Sequence, residues 1–480
     1  MKLFINHFIA ITVLMGAMLL GFTPDAHAVP SYARQTGLPC ATCHSTYPEL
    51  TSFGRLFKLN GYVTTGLSQI QSPAGGGLKI NEVPPLSAMF VTSLTNLNKS
   101  LSDPVNGDNT QNGGWGFPQQ LSFFFAGEIS DHMGTFSQIT YTHADDHFSI
   151  DNVDFRYANQ GTVGGTNAIY GLTFNNSPTV EDPYQGTPAW GFPFVSSDIA
   201  PGPIASTLID GGLAQDVVGI GGYTMFDNHW YANFSLYRSE HVGVAEPYGS
   251  SMDIPTIKGV APYLRLAYQT NFGDNFLEVG AYGLWVDISP NTVGTADKYV
   301  DTAVDAQYER NLASGNSIVV RGTYIREKTT FDASHNLAVP TVSNSSDNLN
   351  TFKLNGEYHF GVSGAATVGV FRTTGSTDMT RYPTSQNPAL VGSGCGVANP
   401  DPVTGAVTAC DPAPGLGSAN GSPDNAGWIL QGTYLPWQNV QFGVQYTAYN
   451  KFNGASDNYD GLGRKASDNN TLYAYGWFMW

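Results

Sequence analysis

Apolar and polar residues alternate in short segments from about residue 86 to the end of the chain. The alternation is clear from Trp230 to Leu236 and again from Val440 to Tyr446. A period of two predicts β-strands, because successive side chains of a strand point to opposite faces of the sheet. On this basis we predict sixteen strands, over residues 86–97, 120–130, 133–143, 147–157, 167–174, 216–225, 229–239, 261–271, 275–286, 299–311, 316–328, 349–359, 364–374, 426–435, 438–450 and 471–480.

The connections at one end of the predicted strands are short, and most of those at the other end are long. Short connections include 130–132 and 436–437, whereas the opposite connections include 175–215 and 375–425. Outer-membrane β-barrels have this asymmetry, with short turns on the periplasmic side and longer loops outside. We therefore expect an all-β fold, an antiparallel outer-membrane β-barrel of about 16 strands over residues 79–480, with both chain ends on the periplasmic side. A large soluble β-sandwich is the alternative.

The composition favours a membrane barrel over a soluble enzyme. Charged residues make up only 12% of the chain, against about 25% in an average globular protein. Aromatic residues also make up 12%, and glycine is frequent, with 55 copies. The formal net charge of −17 argues against a nucleic-acid partner and would attract cations.

Two of the long connections carry further signals. The 175–215 connection is rich in proline, glycine and aromatic residues, and it could fold inward as a constriction or pack as a surface loop. The 375–425 connection contains Cys395 and Cys410. We expect these two cysteines to form a disulfide, because an exported chain matures in an oxidising compartment.

The first 28 residues have the features of a secretory signal peptide. Lys2 is followed by an apolar run over about 8–22 and then by Ala26-His27-Ala28, a small-residue cleavage motif. We expect residues 1–28 to be removed, so that the mature chain begins at Val29.

The strongest chemical signal is the run Cys40-Ala41-Thr42-Cys43-His44. A C-x-x-C-H motif indicates covalent attachment of one haem c, in which the two thiols bind the vinyl groups and the histidine is an axial iron ligand. The alternatives are a local disulfide, a thioredoxin-like redox pair and half of a zinc site. A zinc site would need a second ligand pair, and the remaining cysteines are some 350 residues away.

The haem motif lies in a short N-terminal segment, residues 29–78, which we expect to form a monohaem cytochrome c module and a tether. A segment this short needs a covalent cross-link or a partner surface to fold stably. The covalent haem can supply the cross-link, and the barrel lumen can supply the partner surface. We therefore expect the module to plug the lumen. Helical spacing of apolar residues predicts a helix near 49–62, and the tether includes Gly75-Gly76-Gly77. Candidate partners for the haem propionates are Arg34, Arg55 and Lys58.

The second axial ligand is not evident, because neither histidine nor methionine occurs between Ser45 and Ala88. A six-coordinate haem would then take a ligand from the barrel, or an unusual one such as Lys58 or Lys79. The candidates on the barrel are Met89, His132, Met133, His143 and His147, with His229, His241 and His359 as further histidines near the strand ends. Asp145-Asp146-His147 has hard-ligand character, although a solvated polar turn is the favoured interpretation.

The N-terminal segment resembles the fused monohaem cytochrome–porin family. The similarity is carried by residues 29–37, 47–50 and 53–62 around the haem motif, and more loosely by 175–179 and 188–193 in the barrel. The best-known members of that family are outer-membrane iron(II) oxidases of iron-oxidising bacteria.

The resemblance implies a function as well as a fold. It implies that the chain takes electrons from extracellular Fe(II) through a single haem c and passes them to a periplasmic carrier such as a soluble cytochrome. Two alternatives stay open. The chain could be a passive porin with a haem-bearing structural plug, or it could have the same redox role with a different external donor.

Overall fold

The computed structural model describes residues 30–64, 69–71, 79–82, 84–101, 112–143, 146–239, 256–290, 294–338, 340–383, 398–400, 407–410 and 417–480. The predicted signal peptide, the Gly75–Gly77 linker and the predicted Cys395–Cys410 disulfide lie outside the described residues.

The N-terminal part of the chain contains three short helices and a small hairpin. Helix α1 covers Pro30–Thr36, α2 Cys40–Cys43 and α3 Ser52–Leu59. The predicted helix near 49–62 is therefore confirmed as α3, which begins after the capping residue Thr51. Strands β1 (Gln69–Gln71) and β2 (Lys79–Asn81) pair with each other. The helices and their connections, residues 30–64, are called the N-terminal module below.

The rest of the chain is built from antiparallel strands. Strands β3 to β21 cover, in order, Leu86–Leu97, Gly114–Ser130, Met133–Thr142, His147–Val163, Thr166–Asn175, Val217–Phe226, Trp230–Ser239, Thr256–Ile257, Ala261–Phe272, Asn275–Ser289, Asp297–Asn311, Ser317–Thr330, Ser346–His359, Gly364–Gly375, Ala398–Pro400, Val407–Cys410, Asn425–Trp437, Val440–Lys451 and Thr471–Met479. Strands β10, β17 and β18 are short pieces in the long connections, and the other sixteen form the barrel wall.

The wall closes on itself. Each long strand pairs with the next along the chain, and the last, β21, pairs with the first, β3, with Met479 opposite Met89. All sixteen predicted strands are confirmed. The largest differences at their ends are β4, which begins at Gly114 rather than 120, and β6, which continues to Val163 rather than 157.

The outer face of the wall is apolar and the inner face is polar. Val304 on β13 is 56% exposed, whereas the next residue, Asp305, is only 6% exposed. Leu172, Ile220 and Val368 also lie on the exposed face of their strands. This arrangement is the reverse of a soluble sandwich and is the one that a lipid bilayer requires. The chain is therefore an outer-membrane type of β-barrel, and the soluble alternative is excluded.

The three helices of the N-terminal module are short. Among the described residues, none of them is long and apolar enough to span a bilayer.

The N-terminal module lies inside the barrel, near the end where the connections are short. Tyr62 donates a hydrogen bond to Asp154 of β6, and Arg55 forms an ion pair with Glu309 of β13. At the short-turn end, the amide of Cys40 donates to Gln438, in the turn between β19 and β20. Residues 30–64 therefore contact the inner face of the wall at several points.

The connection between β7 and β8, residues 176–216, also folds into the lumen; we call it the inward segment. Val180 and Tyr184 are fully or almost fully buried. The Nζ of Lys58 donates to the carbonyl oxygens of Val180 and Asp182 at 2.7 and 2.8 Å. Of the two interpretations open from the sequence, the structure therefore selects the inward constriction, which packs directly on the module.

One arginine of the wall anchors the inward segment. Arg265 of β11 forms an ion pair with Asp182 of the segment at 2.6 Å and with Glu278 of β12 at 2.9 Å. It also pairs with Asp305 of β13. Because all four side chains are buried, the segment is tied to the wall by charges that water does not screen.

Candidate functional site

A cavity of about 430 Å³ lies between the N-terminal module, the wall and the inward segment. Its volume is within the range of about 300–1,000 Å³ that is usual for small-molecule and cofactor sites. Aromatic side chains from all three parts line it: Tyr32, Phe57, Phe124, Phe136, Trp190 and Trp477. Cys40, Cys43 and His44 line the same cavity, so the haem motif faces an apolar space of suitable size.

The two cysteines are held as separate thiols by the one-turn helix α2. Cys40 and Cys43 form no disulfide. The Sγ of Cys40 donates to the carbonyl oxygen of Gln438 at 2.9 Å. Burial raises the pKa of both thiols to about 11, whereas a thioredoxin-like pair needs a thiol of lowered pKa. The structure therefore disfavours both the disulfide and the redox-pair alternatives.

The zinc alternative also lacks support in the described part of the chain. There, the group of three or more potential ligands that lie close together is Glu49, Glu357 and His359. Cys40 and Cys43 are not part of it, so the thiols have no partners for a tetrahedral zinc site.

His44 is oriented for metal ligation by a tight turn that follows α2. Its Nδ1 lies 3.2 Å from the carbonyl oxygens of both Pro48 and Glu49. A carbonyl oxygen only accepts, so Nδ1 carries the proton and Nε2 is the nitrogen left for a metal. Burial lowers the pKa of His44 against the opposing effect of these hydrogen bonds, which favours the neutral form that a metal ligand requires.

These donors fit a haem c. Two unpaired thiols and one available imidazole nitrogen line the same cavity as a ring of aromatic side chains. The predicted residues Cys40, Cys43 and His44 are thus brought together as the motif requires, and the cavity supplies an apolar surround.

The three candidate propionate partners are already engaged by the protein. Arg34 donates to the carbonyl oxygen of Leu86, and Arg55 pairs with Glu309. Neither arginine lines the cavity, whereas Lys58 does. Burial and the charge of Arg156 lower the pKa of Lys58 to about 7, against the opposing effect of nearby carboxylates.

Of the five barrel candidates Met89, His132, Met133, His143 and His147 for the second axial ligand, the structure places Met89 at the cavity, which Lys58 of the module also lines. Met89 is only 3% exposed and lines the cavity wall. Met133 is 42% exposed, His132 lies in a turn with its Nδ1 against Ala158, and His143 lies 3.5 Å from Asp198. His147 begins β6 and does not line the cavity.

Three residues at the site were missed from the sequence. Met479 lies opposite Met89 in the β21–β3 pairing and lines the same cavity. Trp190 stacks its ring against the Nζ of Lys58, at 4.6 Å from the ring centroid, and Gln438 holds Cys40. Met479 is the penultimate residue of the predicted last strand, 471–480, and this position was a usable signal because closure of a barrel pairs its first and last strands.

No protein-family model matches the chain, and no curated protein matches it. Similar solved structures include OmpT of Vibrio cholerae, with 12% identity, a TM-score of 0.41 and coverage of 86% of this chain and 100% of that one. The outer membrane channel DcaP of Acinetobacter baumannii has 12% identity and a TM-score of 0.42, with 86% and 100% covered. The anion-selective porin from Comamonas acidovorans has 11% identity and a TM-score of 0.41, with 82% and 98% covered. We draw no argument about the site from similarity at this level.

Proposed function

We propose that this chain is an outer-membrane electron-transfer protein that oxidises extracellular Fe(II) through one haem c and passes the electron to a periplasmic carrier. The observation that carries the proposal is the position of the C-x-x-C-H motif. Cys40, Cys43 and His44 line an apolar cavity inside the barrel, on a module that is bonded to the wall. The assignment of Fe(II) as the donor rests on the resemblance to the fused cytochrome–porin family.

The residues of the chain have distinct tasks in this proposal. Cys40 and Cys43 would attach the cofactor, Nε2 of His44 would ligate its iron, and Met89 would be the second ligand. A haem bound there supplies a one-electron couple, and the net reaction moves one electron from external Fe(II) to the oxidised carrier, leaving Fe(III). The aromatic lining and the inward segment give the cavity largely apolar walls, and an apolar surround limits side reactions with water.

The short-turn end of the barrel supports delivery to a periplasmic partner. A second cavity, of about 400 Å³, is lined by Cys40, Ala41 and His44 from the module and by turn residues of the wall, including Ser363 and Gln438. In outer-membrane barrels the short turns face the periplasm. The side of the proposed cofactor site that carries His44 therefore faces the periplasmic end of the barrel.

The filled lumen argues against passive solute flux. A porin needs a continuous aqueous path, and here both the N-terminal module and the inward segment pack in the lumen of the described barrel. This packing favours the electron-transfer function over a passive porin with a haem-bearing plug.

The proposal is tested by stopped-flow absorbance. The oxidised protein in detergent is mixed with Fe(II) without oxygen, and we expect a reduced c-type spectrum to grow at a rate that depends on iron concentration. His44→Ala should abolish this signal and leave the barrel inserted, whereas the control His132→Ala, on a turn outside the cavity, should behave as the parent protein. Reduction by dithionite but not by Fe(II) would show that Fe(II) is not the donor.

A further inference from the structure

Three buried ligand side chains meet beside the haem motif, at the contact between the module and the wall. Glu49 comes from the turn after the motif, and Glu357 and His359 come from the end of β15. One ligand atom of each residue lies within 4.8 Å of the others, and all three residues are buried. The chain thus brings two carboxylates and an imidazole together from positions some 310 residues apart.

The spacing of these atoms suits a metal ion. The Nε2 of His359 lies 3.0 Å from Oε1 of Glu357 and 3.4 Å from Oε2 of Glu49. Donor atoms that are each about 2.1 Å from one ion lie about 3.0 Å apart across a right angle and about 3.4 Å apart across a tetrahedral angle. The two separations that involve His359 therefore match those of a coordination shell, and the two carboxylates lie within 4.8 Å of each other.

The imidazole of His359 gives a second, independent indication that this cluster binds a ligand. His359 is 1% exposed, yet neither of its ring nitrogens has a hydrogen-bond partner. A buried polar group without a partner is costly. Since Nε2 faces two carboxylate oxygens and has no suitably directed hydrogen bond to either, a cation between the three atoms would satisfy all of them.

The surrounding groups orient the carboxylates. Arg321 donates to Oε1 of Glu49, and the hydroxyl of Thr46 donates to Oε2 at 2.9 Å. Thr46 also lies 3.4 Å from Oε1 of Glu357. Arg321 and Thr46 thus hold the Glu49 carboxylate in place, and Thr46 also contacts that of Glu357.

We propose that Glu49, Glu357 and His359 bind a divalent first-row transition-metal ion. Two carboxylates and one imidazole form a mixed oxygen and nitrogen donor set, which suits Fe(II), Mn(II) or Zn(II) better than the all-oxygen ligation of Ca²⁺ or the soft ligation of Cu(I). The ion is defined here by its ligand chemistry, and this part of the proposal needs no haem.

The site is coupled to the haem motif through a single residue. The backbone carbonyl of Glu49 accepts a hydrogen bond from Nδ1 of His44 at 3.2 Å, while its carboxylate belongs to the metal site. The identification of the bound ion as the donor Fe(II) rests on the proposed function. In that function, the ion is held next to His44.

A chain of cavities leads towards the site from the long-loop end. A cavity of about 330 Å³ there shares Asp210, Lys353 and Asn355 with a narrow one of about 20 Å³. The narrow cavity is also lined by Arg321, which contacts Glu49. The cavities therefore extend from the long-loop end as far as Arg321, beside Glu49.

The site is tested by Mn(II) titration of the haem-loaded protein in detergent, with the loss of the free Mn(II) electron paramagnetic resonance signal as the readout. We expect one bound ion per chain, displaced by Zn(II). Glu357→Gln and His359→Gln should each weaken Mn(II) binding by at least about tenfold. The matched control is His229→Gln, on another short turn, which should leave binding unchanged. A c-type spectrum and heat-modifiable migration in gels establish that each variant is folded.

Two results would overturn the site. The first is that the parent protein binds no Mn(II), a result that can be interpreted without any variant. The other is folded Glu357→Gln and His359→Gln proteins with parental affinity. Failure of the proposed function gives a different result, namely Mn(II) binding that the variants lose but no reduction by Fe(II). Fe(II) reduction at the parental rate in both variants would overturn the placement of the donor at this site.

Discussion

Replacing Arg265 by methionine should release the inward segment from the wall and open the lumen. The substitution removes one positive charge that faces Asp182, Glu278 and Asp305 in a site where none of these side chains is more than 1% exposed. Three buried carboxylates are then left without a countercharge. Glu278 and Asp305 are fixed on strands, whereas Asp182 is on a connection, so the least costly response is for the inward segment to carry Asp182 into water.

The size of the effect follows from the burial. Removing one partner of a buried ion pair costs about 3–5 kcal/mol, because the remaining charge is neither solvated nor compensated. At about 1.4 kcal/mol per factor of ten, the ratio of docked to undocked segment should fall by about 10²- to 10⁴-fold. Low pH should reduce the effect, since protonated carboxyl groups no longer need the guanidinium.

Single-channel conductance in planar lipid bilayers and limited proteolysis of the segment measure this change. We expect Arg265→Met to conduct more and to be cleaved within 176–216, and Arg265→Lys, which keeps the charge, to be affected less. Lys298→Met removes a charge from a largely exposed pair with Asp332 and serves as the control. If Arg265→Met had the conductance and protease resistance of the parent, the ion cluster would not be what holds the segment.

Three further predictions concern the module and its surroundings. Met89→Leu should lower the haem potential and change the ferric spectrum, whereas Met479→Leu should do neither; the reverse result in redox titrations would assign the ligand to Met479. Burial raises the pKa of Glu181 to about 8 and that of Asp182 to about 6. Protease resistance of the inward segment should therefore be greatest below about pH 4.5 and fall as the pH rises to about 8, with Glu181 contributing at most about 5 kcal/mol of docking free energy. Glu181→Gln should reduce this dependence, and an unchanged pH profile would contradict the assignment. Gly54→Ala places a Cβ 2.3 Å from the carbonyl oxygen of Cys43 and should reduce the yield of haem-loaded protein, measured by absorbance, at unchanged barrel insertion. Gly202→Ala, at a position with no atom within 4 Å of the added Cβ, should give the parental yield.

Much of the fold was predictable because its signal is local. Alternation with a period of two is present within each strand, and the lengths of the connections add the direction of the barrel, so all sixteen strands were found without tertiary information. The haem motif is equally local, since Cys40, Cys43 and His44 need only their spacing to be recognised. Alternation alone did not determine which face of each strand points into the lumen, because a soluble sheet shows the same pattern.

The contacts inside the lumen could not be predicted, because they depend on closure and on docking. The partnership of Met89 with Met479 needs the register between the first and last strands, and Arg265 meets Asp182 only if the inward segment turns into the lumen. Glu49 and His359 are likewise far apart in sequence, and no spacing relates them.

The sequence by itself therefore determined the barrel, and it also predicted the orientation of the barrel and the haem attachment motif. Only the tertiary structure decided which charges and ligands meet in the lumen. The physical reason is that strand formation depends on neighbours along the chain, whereas each lumenal cluster depends on the register of the closed sheet and on the packing of two segments within it.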